Sequence, residues 1–391
     1  MIKNTGRQNQ SQAGFGLIEI MIALFLGVII MLGVTEIATN NSKTTYELER
    51  AGRRIENAAY ALRLLEGDLT NAAFWGERRE VTAGATPPPI CLDDGVVAAA
   101  DVDVLQEALG YPLQGGHIYE APYNIAPYKA IACPPAGFVM EPKPGTDYLA
   151  IRRASSCALG STGCDLAGTN FHLQVTACFN ADSPQDTERV EFSATVGDLD
   201  ATQRNCTDFA PIYRFLNRIY YVKHNEEEDK DQLVRVELVG TGYTETPLVD
   251  DIEMLRFEYG LDTNGDGQED LPADPDNPYP AEPDQETNGA AAADVARWAN
   301  VVRVTISLVV RSEKASGGFT DEKIYDLAKL KYDYSASPAT KSVDWDSPTT
   351  YCANLPPRAA CDVTIPAEFV NHRRQLFTRT VSLRNVAGRR E

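Results

Sequence analysis

Residues 15–34 of this chain, FGLIEIMIALFLGVIIMLGV, form an apolar stretch about as long as a helix needs to cross the hydrocarbon core of a bilayer. Residues 1–14 before it are polar and carry Lys3 and Arg7 but no acidic residue. Because basic flanks stay in the cytoplasm, and acidic residues dominate the rest of the chain, this arrangement predicts a single span with its N-terminus inside. A secretory signal would be cleaved after its apolar region, whereas here the small residue, Gly14, precedes it.

One acidic residue, Glu19, lies in the first turns of the apolar stretch. A carboxylate in lipid costs a few kcal/mol on insertion scales, so its presence indicates a function with a specific partner. Cleavage after Gly14 would give Phe15 a new α-amino group, and that positive charge on a neighbouring subunit would neutralise Glu19 during assembly. The alternative is that Glu19 is an interfacial residue at the membrane edge.

The hexamer GFGLIE at residues 14–19 closely resembles the prepilin processing site, in which glycine and phenylalanine precede a glutamate at the fifth mature position. The resemblance implies cleavage by prepilin peptidase between Gly14 and Phe15, N-methylation of Phe15, and a role for Glu19 in assembly. Glycine suits a scissile position because it lets a protease approach the backbone closely. The chain departs from the usual family pattern at Gly16, where threonine is common.

Beyond the apolar stretch, apolar residues recur at alternating spacings of three and four, which predicts a continuation of the same helix with an amphipathic character. The stripe comprises Leu48, Ala51, Ile55, Ala58, Leu62, Leu65 and Leu69. The helix is expected to run from residue 15 to about 70, roughly 80 Å in length. Its membrane or filament-core part would be residues 15–37 and its amphipathic part residues 38–75. Packing on a β-sheet is favoured over a coiled coil, which would use stronger seam residues than alanine.

Residues 76–391 are predicted to form a globular head. The section 76–145 is rich in Gly, Pro and Ala and is expected to be an irregular insertion, and the segment 272–294 is expected to be a flexible loop. Strands rich in branched and aromatic residues are predicted to begin at Asp147, His172, Arg189, Arg218, Gln232, Ile252, Val301 and Leu376. The charged run at 225–231 is predicted to be a solvated hairpin tip. The fold class is therefore α+β, with a long N-terminal helix packed on a mainly antiparallel sheet.

Three blocks of the head resemble minor pilins of the PilW family: DIEMLRFEYGLDTNGDG from Asp251, VVRVTISLVVRS from Val301, and RRQLFTRTVSLRN at 373–385. Residues 76–250 carry no resemblance. The resemblance implies a precursor in the inner membrane, with its head in the periplasm, that is later built into an extracellular type IV pilus, at or near the tip, to prime assembly. It implies prepilin peptidase, other minor and major pilins, and a tip adhesin as partners.

Two other functions are compatible with the same sequence. A J-type pseudopilin of type II secretion would share the N-terminus and the helix-plus-sheet plan, although this head is long for that group. The head would otherwise serve as an adhesin or DNA-uptake module that binds an external ligand. Net acidity argues against direct contact with DNA, and a sugar-binding groove leaves no mark in a sequence.

The cysteines predict disulfides and therefore an oxidising compartment. They are even in number and widely spaced, without the paired Cys or Cys/His clusters that zinc requires. Pairing between sequence neighbours is expected, although many connectivities are open. The expected pairs are Cys91–Cys133, Cys157–Cys164, Cys178–Cys206 and Cys352–Cys361.

The segment DTNGDGQED at residues 262–270 places side-chain oxygens at alternating positions of a tight loop, as a calcium-binding loop does. Its candidate ligands are Asp262, Asn264, Asp266, Gln268 (through its backbone carbonyl) and Asp270. Ala273 stands where an EF-hand has its bidentate glutamate, so Asp274 or a distant carboxylate would complete the shell. The alternative is an ordinary β-turn loop that uses Asn-Gly and Asp-Gly for their backbone geometry. Calcium is the one cofactor predicted.

Composition and motifs point away from an enzyme and from a nucleic-acid-binding protein. The formal net charge is −20, and no long stripe of Lys and Arg would follow a phosphate backbone. The glycine-rich GxxxxGK[ST] pattern, HExxH and GxSxG are all absent from the sequence. His117 is interpreted as a loop histidine. The predictions are thus structural: a filament subunit and not a catalyst.

Overall fold

The computed structural model divides the chain into two compact units, Met1–Arg53 and Arg54–Glu391. The boundary falls inside the first helix, α1, which spans Leu17–Thr70. The second unit is called the globular unit below. The structure describes residues 16–76, 88–92, 102–118, 131–133, 138–162, 164, 171–176, 178, 190–225, 227–228, 230–240, 242–270, 297–327, 330–333, 340–343, 363–364 and 370–387.

Helix α1 has the bounds that its sequence pattern predicts, to within two residues at its start. The hydroxyl groups on its middle turns donate to backbone carbonyls one turn earlier, as Thr35 does to Met31 at 2.7 Å and Ser42 to Ala38 at 2.9 Å. These bonds satisfy polar side chains without breaking the helix. The helix ends at Thr70, and three residues later Ala73 takes a left-handed φ of +61°, a conformation that cannot continue a right-handed helix.

The buried face of α1 differs from the predicted stripe. Three members of that stripe are fully buried: Ala58, Leu65 and Leu69. However, Leu48 and Ile55 are exposed, whereas the polar residues Arg54 and Asp68 are buried. The prediction was wrong at these positions because hydrophobic periodicity does not detect buried ionic side chains, which are stable inside a protein when they are paired.

Two further helices and sixteen strands make up the described part of the globular unit. Helix α2 spans Val102–Gly110 and helix α3 spans Arg384–Ala387. The strands are β1 (Leu113–His117), β2 (Ile131–Cys133), β3 (Phe138–Met140), β4 (Asp147–Ala158), β5 (His172–Val175), β6 (Val190–Ser193), β7 (Ile212–Asn225), β8 (Lys230–Val239), β9 (Gly242–Asp250), β10 (Ile252–Leu261), β11 (Val301–Arg311), β12 (Ile324–Leu327), β13 (Leu330–Asp333), β14 (Thr340–Val343), β15 (Val363–Thr364) and β16 (Arg374–Ser382). Short 3-10 helices lie at Val196–Asp198 and Arg297–Asn300.

The strands form four antiparallel sheets among the described residues. The largest has seven strands in the order β1-β4-β7-β5-β6, with β8 on β7 and β9 on β8. A three-stranded sheet has the order β10-β11-β16, and β12 to β15 form a four-stranded sheet. Strand β2 pairs with β3. The prediction of an α+β fold with antiparallel pairing is confirmed, but the described strands form several sheets and not the single sheet that we expected.

A shared core joins the seven-stranded sheet to the three-stranded sheet. Leu149, Ile219 and Val236 of the seven-stranded sheet and Phe257 and Val304 of the three-stranded sheet belong to one buried cluster. Two hydrogen bonds also link these sheets: the Asp147 carboxylate accepts from the Arg256 guanidinium at 2.7 Å and from the Phe257 amide at 2.8 Å. Both charged groups are buried, so each satisfies the other away from water.

Helix α1 is fixed to the seven-stranded sheet by the Asp68 carboxylate. Asp68 accepts from Arg153 at 2.7 Å, from Arg218 at 2.9 Å and from the Tyr220 hydroxyl at 2.5 Å. Burial alone would raise the pKa of this carboxyl, but the two guanidinium groups and the hydroxyl bond outweigh it and lower the pKa below its ordinary value. Asp68 is therefore ionised inside the protein, and its charge holds the end of the helix on the sheet.

The predicted strands are all present, with shifts of a few residues at their ends. The section 76–145 is more regular than expected, since it contains α2 and strands β1 to β3. The hairpin tip between β7 and β8 exposes Glu227 and Glu228, but Asp231 is buried in β8 and binds Lys143 at 2.7 Å. Four sequence predictions lie outside the described residues: the 1–14 leader, Phe15, the pair Cys352–Cys361, and the loop 272–294.

Candidate functional site

The N-terminal part of α1 carries an apolar surface that the protein leaves uncovered. An 18-residue window of this helix has a mean hydropathy of 2.8, and none of it is buried, so the helix is long and apolar enough to cross a membrane. The large side chains between Leu17 and Val34 are each at least half exposed. Burying such a surface in lipid or against other apolar helices stabilises the chain by about 25 cal/mol per Å², so this segment requires an apolar partner.

Glu19 lies in the first turn of α1 and is exposed. Its backbone amide donates to the Gly16 carbonyl at 3.0 Å, and Ile20 donates to the same carbonyl at 3.2 Å, which begins the helix. A carboxylate in the first turn interacts favourably with the helix dipole. The structure therefore presents Glu19 at the end of the helix that carries the predicted processing site. Gly14 and Phe15 themselves lie outside the described residues.

Disulfides form between three of the predicted cysteine pairs. Cys91 joins Cys133, Cys157 joins Cys164, and Cys178 joins Cys206, with Cα–Cα separations of 5.4, 5.9 and 4.9 Å. The pairing of sequence neighbours is confirmed for these six residues. All three bonds lie in the globular unit, and Cys133 and Cys157 belong to strands β2 and β4.

The candidate calcium loop follows β10 and is folded on its own hydrogen bonds. The Asp262 carboxylate accepts from Gly265 N at 2.6 Å and Gly267 N at 2.9 Å, and both glycines have positive φ angles. Asp270 accepts from the hydroxyl and amide of Thr263, which lower the pKa of its carboxyl. Within the described residues, no group of three or more His, Cys, Asp or Glu side chains converges as metal ligands would. The calcium site remains a prediction.

The structure also brings together charged residues that the sequence did not single out. Four arginines and two acids form one network on the seven-stranded sheet: Arg153, Arg214, Arg218, Arg235, Asp68 and Glu237. Their members come from α1, β4, β7 and β8. The available signal was the even spacing of Arg214 and Arg218, and of Arg235 and Glu237, which places each pair on one face of its strand. The neighbours of each strand are needed to see the cluster.

Comparisons with known proteins find two family models in the chain. Residues 9–35 match the prokaryotic N-terminal methylation motif. Residues 219–385 match the type IV pilus-assembly protein W, PilW. No curated protein and no solved structure matches the chain.

The two matches fall on the features described above. The first covers Gly14, Phe15, Glu19 and the exposed apolar turns of α1. The second begins inside β7, earlier than the sequence blocks that suggested it, includes the calcium-loop segment and the three-stranded sheet, and ends inside α3. This family assembles type IV pili, which implies association with other pilus components. The chain is thus similar to type IV pilin-like proteins: it matches the N-terminal methylation motif over residues 9–35 and the PilW family over residues 219–385.

Proposed function

We propose that this chain is a minor pilin that prepilin peptidase cleaves between Gly14 and Phe15, and that is then built into a type IV pilus. The observation that carries the proposal is the coincidence of the methylation motif with an apolar helix surface that the chain leaves uncovered. Before assembly the helix would lie in the inner membrane with the globular unit in the periplasm. After assembly the same surface would contact the helices of other minor and major pilins in an extracellular filament.

Physical chemistry supports the proposal that the helix lies first in the membrane and later in the filament core. Moving the segment Leu17–Val34 from lipid into a filament core exchanges one apolar environment for another, so the transfer has a small free-energy cost. Packing alone leaves the register of helices loosely defined. A pair between the Glu19 carboxylate and the new α-amino group of Phe15 on a neighbour would fix the register, because an unpaired carboxylate in such a core is costly.

The PilW match over residues 219–385 supports a position at the tip of the pilus, where the subunit would prime assembly with other minor pilins. A subunit that starts a filament needs a helix that joins the core and a head that contacts a small number of specific partners. Loss of piliation in a deletion strain would support this role. Piliated cells that no longer adhere would instead favour the head as an adhesin.

Mass analysis of the protein purified from membranes with an active prepilin peptidase tests the processing step. We expect a chain that begins at N-methylated Phe15, identified from its intact mass and its N-terminal peptide. A chain that still carries residues 1–14 would contradict the proposal and would leave a membrane-anchored protein with no assembly role for Glu19.

Glu19→Ala tests the assembly step. The variant should be processed normally, yet its amount in the sheared pilus fraction should fall about tenfold, which corresponds to the loss of about 1.4 kcal/mol of pairing energy. Glu36→Ala is a matched control, since Glu36 is an exposed glutamate farther along the same helix. Normal incorporation of Glu19→Ala, or an equal defect in the control, would overturn the role of Glu19.

A further inference from the structure

The network of arginines on the seven-stranded sheet presents positive charge to solvent in a strongly acidic chain. Its six members, together called the arginine patch, are Arg153, Arg214, Arg218, Arg235, Asp68 and Glu237. Four guanidinium groups meet two carboxylates, so these side chains carry two positive charges more than negative ones. The whole chain has a formal charge of −20, and the patch is therefore a local reversal of its sign.

Two carboxylates link the patch into one unit. Asp68 binds Arg153 and Arg218, at 2.7 and 2.9 Å. Glu237 binds Arg214 at 2.7 Å, Arg218 at 3.0 Å and Arg235 at 3.2 Å. Arg218 belongs to both groups. Because these contacts fix the guanidinium groups on paired strands, the patch is rigid before any partner arrives, which reduces the entropy lost on binding.

The carboxylates lie beneath the arginines. The side chains of Asp68 and Glu237 are 5% and 9% exposed, whereas those of the arginines are more exposed, from 11% and 18% for Arg153 and Arg218 to 24% and 31% for Arg235 and Arg214. A partner that approaches this part of the sheet therefore meets guanidinium groups first. A planar guanidinium offers five donors and binds a carboxylate with two parallel hydrogen bonds.

We propose that the arginine patch is a docking site for an acidic segment of another pilus subunit. This inference rests on the proposed function, which places the chain among such subunits. A polyanion such as nucleic acid is disfavoured because the overall negative charge would repel it along its length. A short acidic segment is affected less, since charges farther than about 8 Å are largely screened at physiological salt.

Cross-linking in cells that make the pilus tests the proposal on the full chain. A photo-reactive amino acid replaces Thr246, which is exposed and lies opposite Arg235 on the neighbouring strand. We expect an adduct with a segment of another pilus subunit that contains Asp or Glu, identified by peptide mass spectrometry. The same probe at Thr207, exposed on a separate loop, should not yield this adduct.

Charge reversal shows whether the adduct depends on the patch. Arg235→Glu should reduce its yield about tenfold, Arg235→Lys should reduce it less, and Arg204→Glu, at an exposed arginine outside the patch, should leave it unchanged. Arg235→Glu places a second acid beside Glu237, so the adduct would also be lost if this variant misfolded. A compensating variant of the partner distinguishes the two causes. Reversal of the cross-linked acid of the partner to arginine should restore the adduct with Arg235→Glu.

An adduct with phospholipid, an adduct with a segment that lacks acidic residues, or no adduct at Thr246 would overturn the proposal. The proposed pilin function is tested separately, by measuring processing and incorporation of the unaltered chain in the same cells. A processed chain in sheared pili that gives no adduct contradicts the docking site alone. A chain that keeps its leader and is missing from pili contradicts the pilin function.

Discussion

Glu253 and Asp251 lie two residues apart, yet their surroundings move the pKa values of their carboxyl groups in opposite directions. Burial would raise the pKa of Glu253, but Arg374 donates to both of its oxygens, at 2.6 and 3.0 Å, and lowers it. For Asp251, partial burial and then the charges of Asp250 and Glu313 raise the pKa to about 6. The ionised form of Glu253 therefore stabilises the fold at neutral pH, whereas that of Asp251 opposes it.

We expect Asp251→Asn to stabilise the globular unit above pH 6 and to have little effect near pH 4. In the unfolded chain the carboxyl ionises near pH 4, and in the folded one near pH 6, so its ionisation weakens folding as the pH rises through this window. Above pH 6 the loss of folding stability is complete, and the uncharged amide of the Asp251→Asn variant avoids it. Asparagine also tolerates the φ of +66° at this position. Because Asp251 is partly exposed, the gain should be about 1 kcal/mol.

Urea unfolding of the full chain in detergent, at pH 4.5 and pH 7.5, measures this effect. Glu322→Gln, at an exposed carboxylate, is the control for the removal of one negative charge. A gain of similar size at both pH values would show that the charge of Asp251 is not its cause. Loss of stability at pH 7.5 would contradict the prediction outright.

At the scale of elements, the disulfides should differ in how much they stabilise the fold. Cys91–Cys133 closes 42 residues and Cys157–Cys164 closes 7. A longer closed loop removes more entropy from the unfolded chain, so losing the first bond should cost about 1.5 kcal/mol more than losing the second. Unfolding of the two double serine variants, each with the other disulfides oxidised, measures the difference. Equal losses would indicate that the unfolded chain is already restricted around residues 91–133.

The loop at residues 262–270 is the element on which the calcium prediction depends. If the loop binds calcium with a dissociation constant of about 0.1 mM, 10 mM calcium should stabilise the protein by about 2.7 kcal/mol. Magnesium at the same concentration should have a smaller effect, and Asp266→Ala should abolish the response. Asp208→Ala, in another exposed turn, is the control. A response to calcium that persists in Asp266→Ala would place the ion elsewhere.

Elements could be predicted from sequence where burial and local preference agree. Ile252–Leu261 was predicted with its observed bounds because branched and aromatic residues fill it. Strand β9 was missed because Gly242 and Pro247 are poor strand residues and few of its side chains are buried. Helix α2 was hidden in a Gly- and Pro-rich section, although the spacing of Leu105, Ala108 and Leu109, all buried, was its signal.

For the molecule as a whole, the N-terminal motif, the fold class and three disulfide pairs could be predicted, but the arginine patch could not. The features of residues 14–34 are contiguous in sequence, so they are visible without a structure. The arginine patch combines residues as far apart as Asp68 and Glu237, and its charge balance depends on which strands are neighbours. The buried face of α1 was predicted wrongly for the same reason, because it depends on partners that are distant in sequence, such as Arg218.

The strand that comes last in the chain, β16, completes the three-stranded sheet by pairing with β11, and Asn385 just after it donates to the Ala72 carbonyl across 313 positions of sequence. A ribosome delivers the chain N-terminus first. The end of α1 and the inner strand β11 are therefore made long before the segment that covers them, and such distant pairing is slow to form. Because these apolar surfaces are made before the segment that packs on them, we expect the nascent chain to depend on a holding chaperone during synthesis.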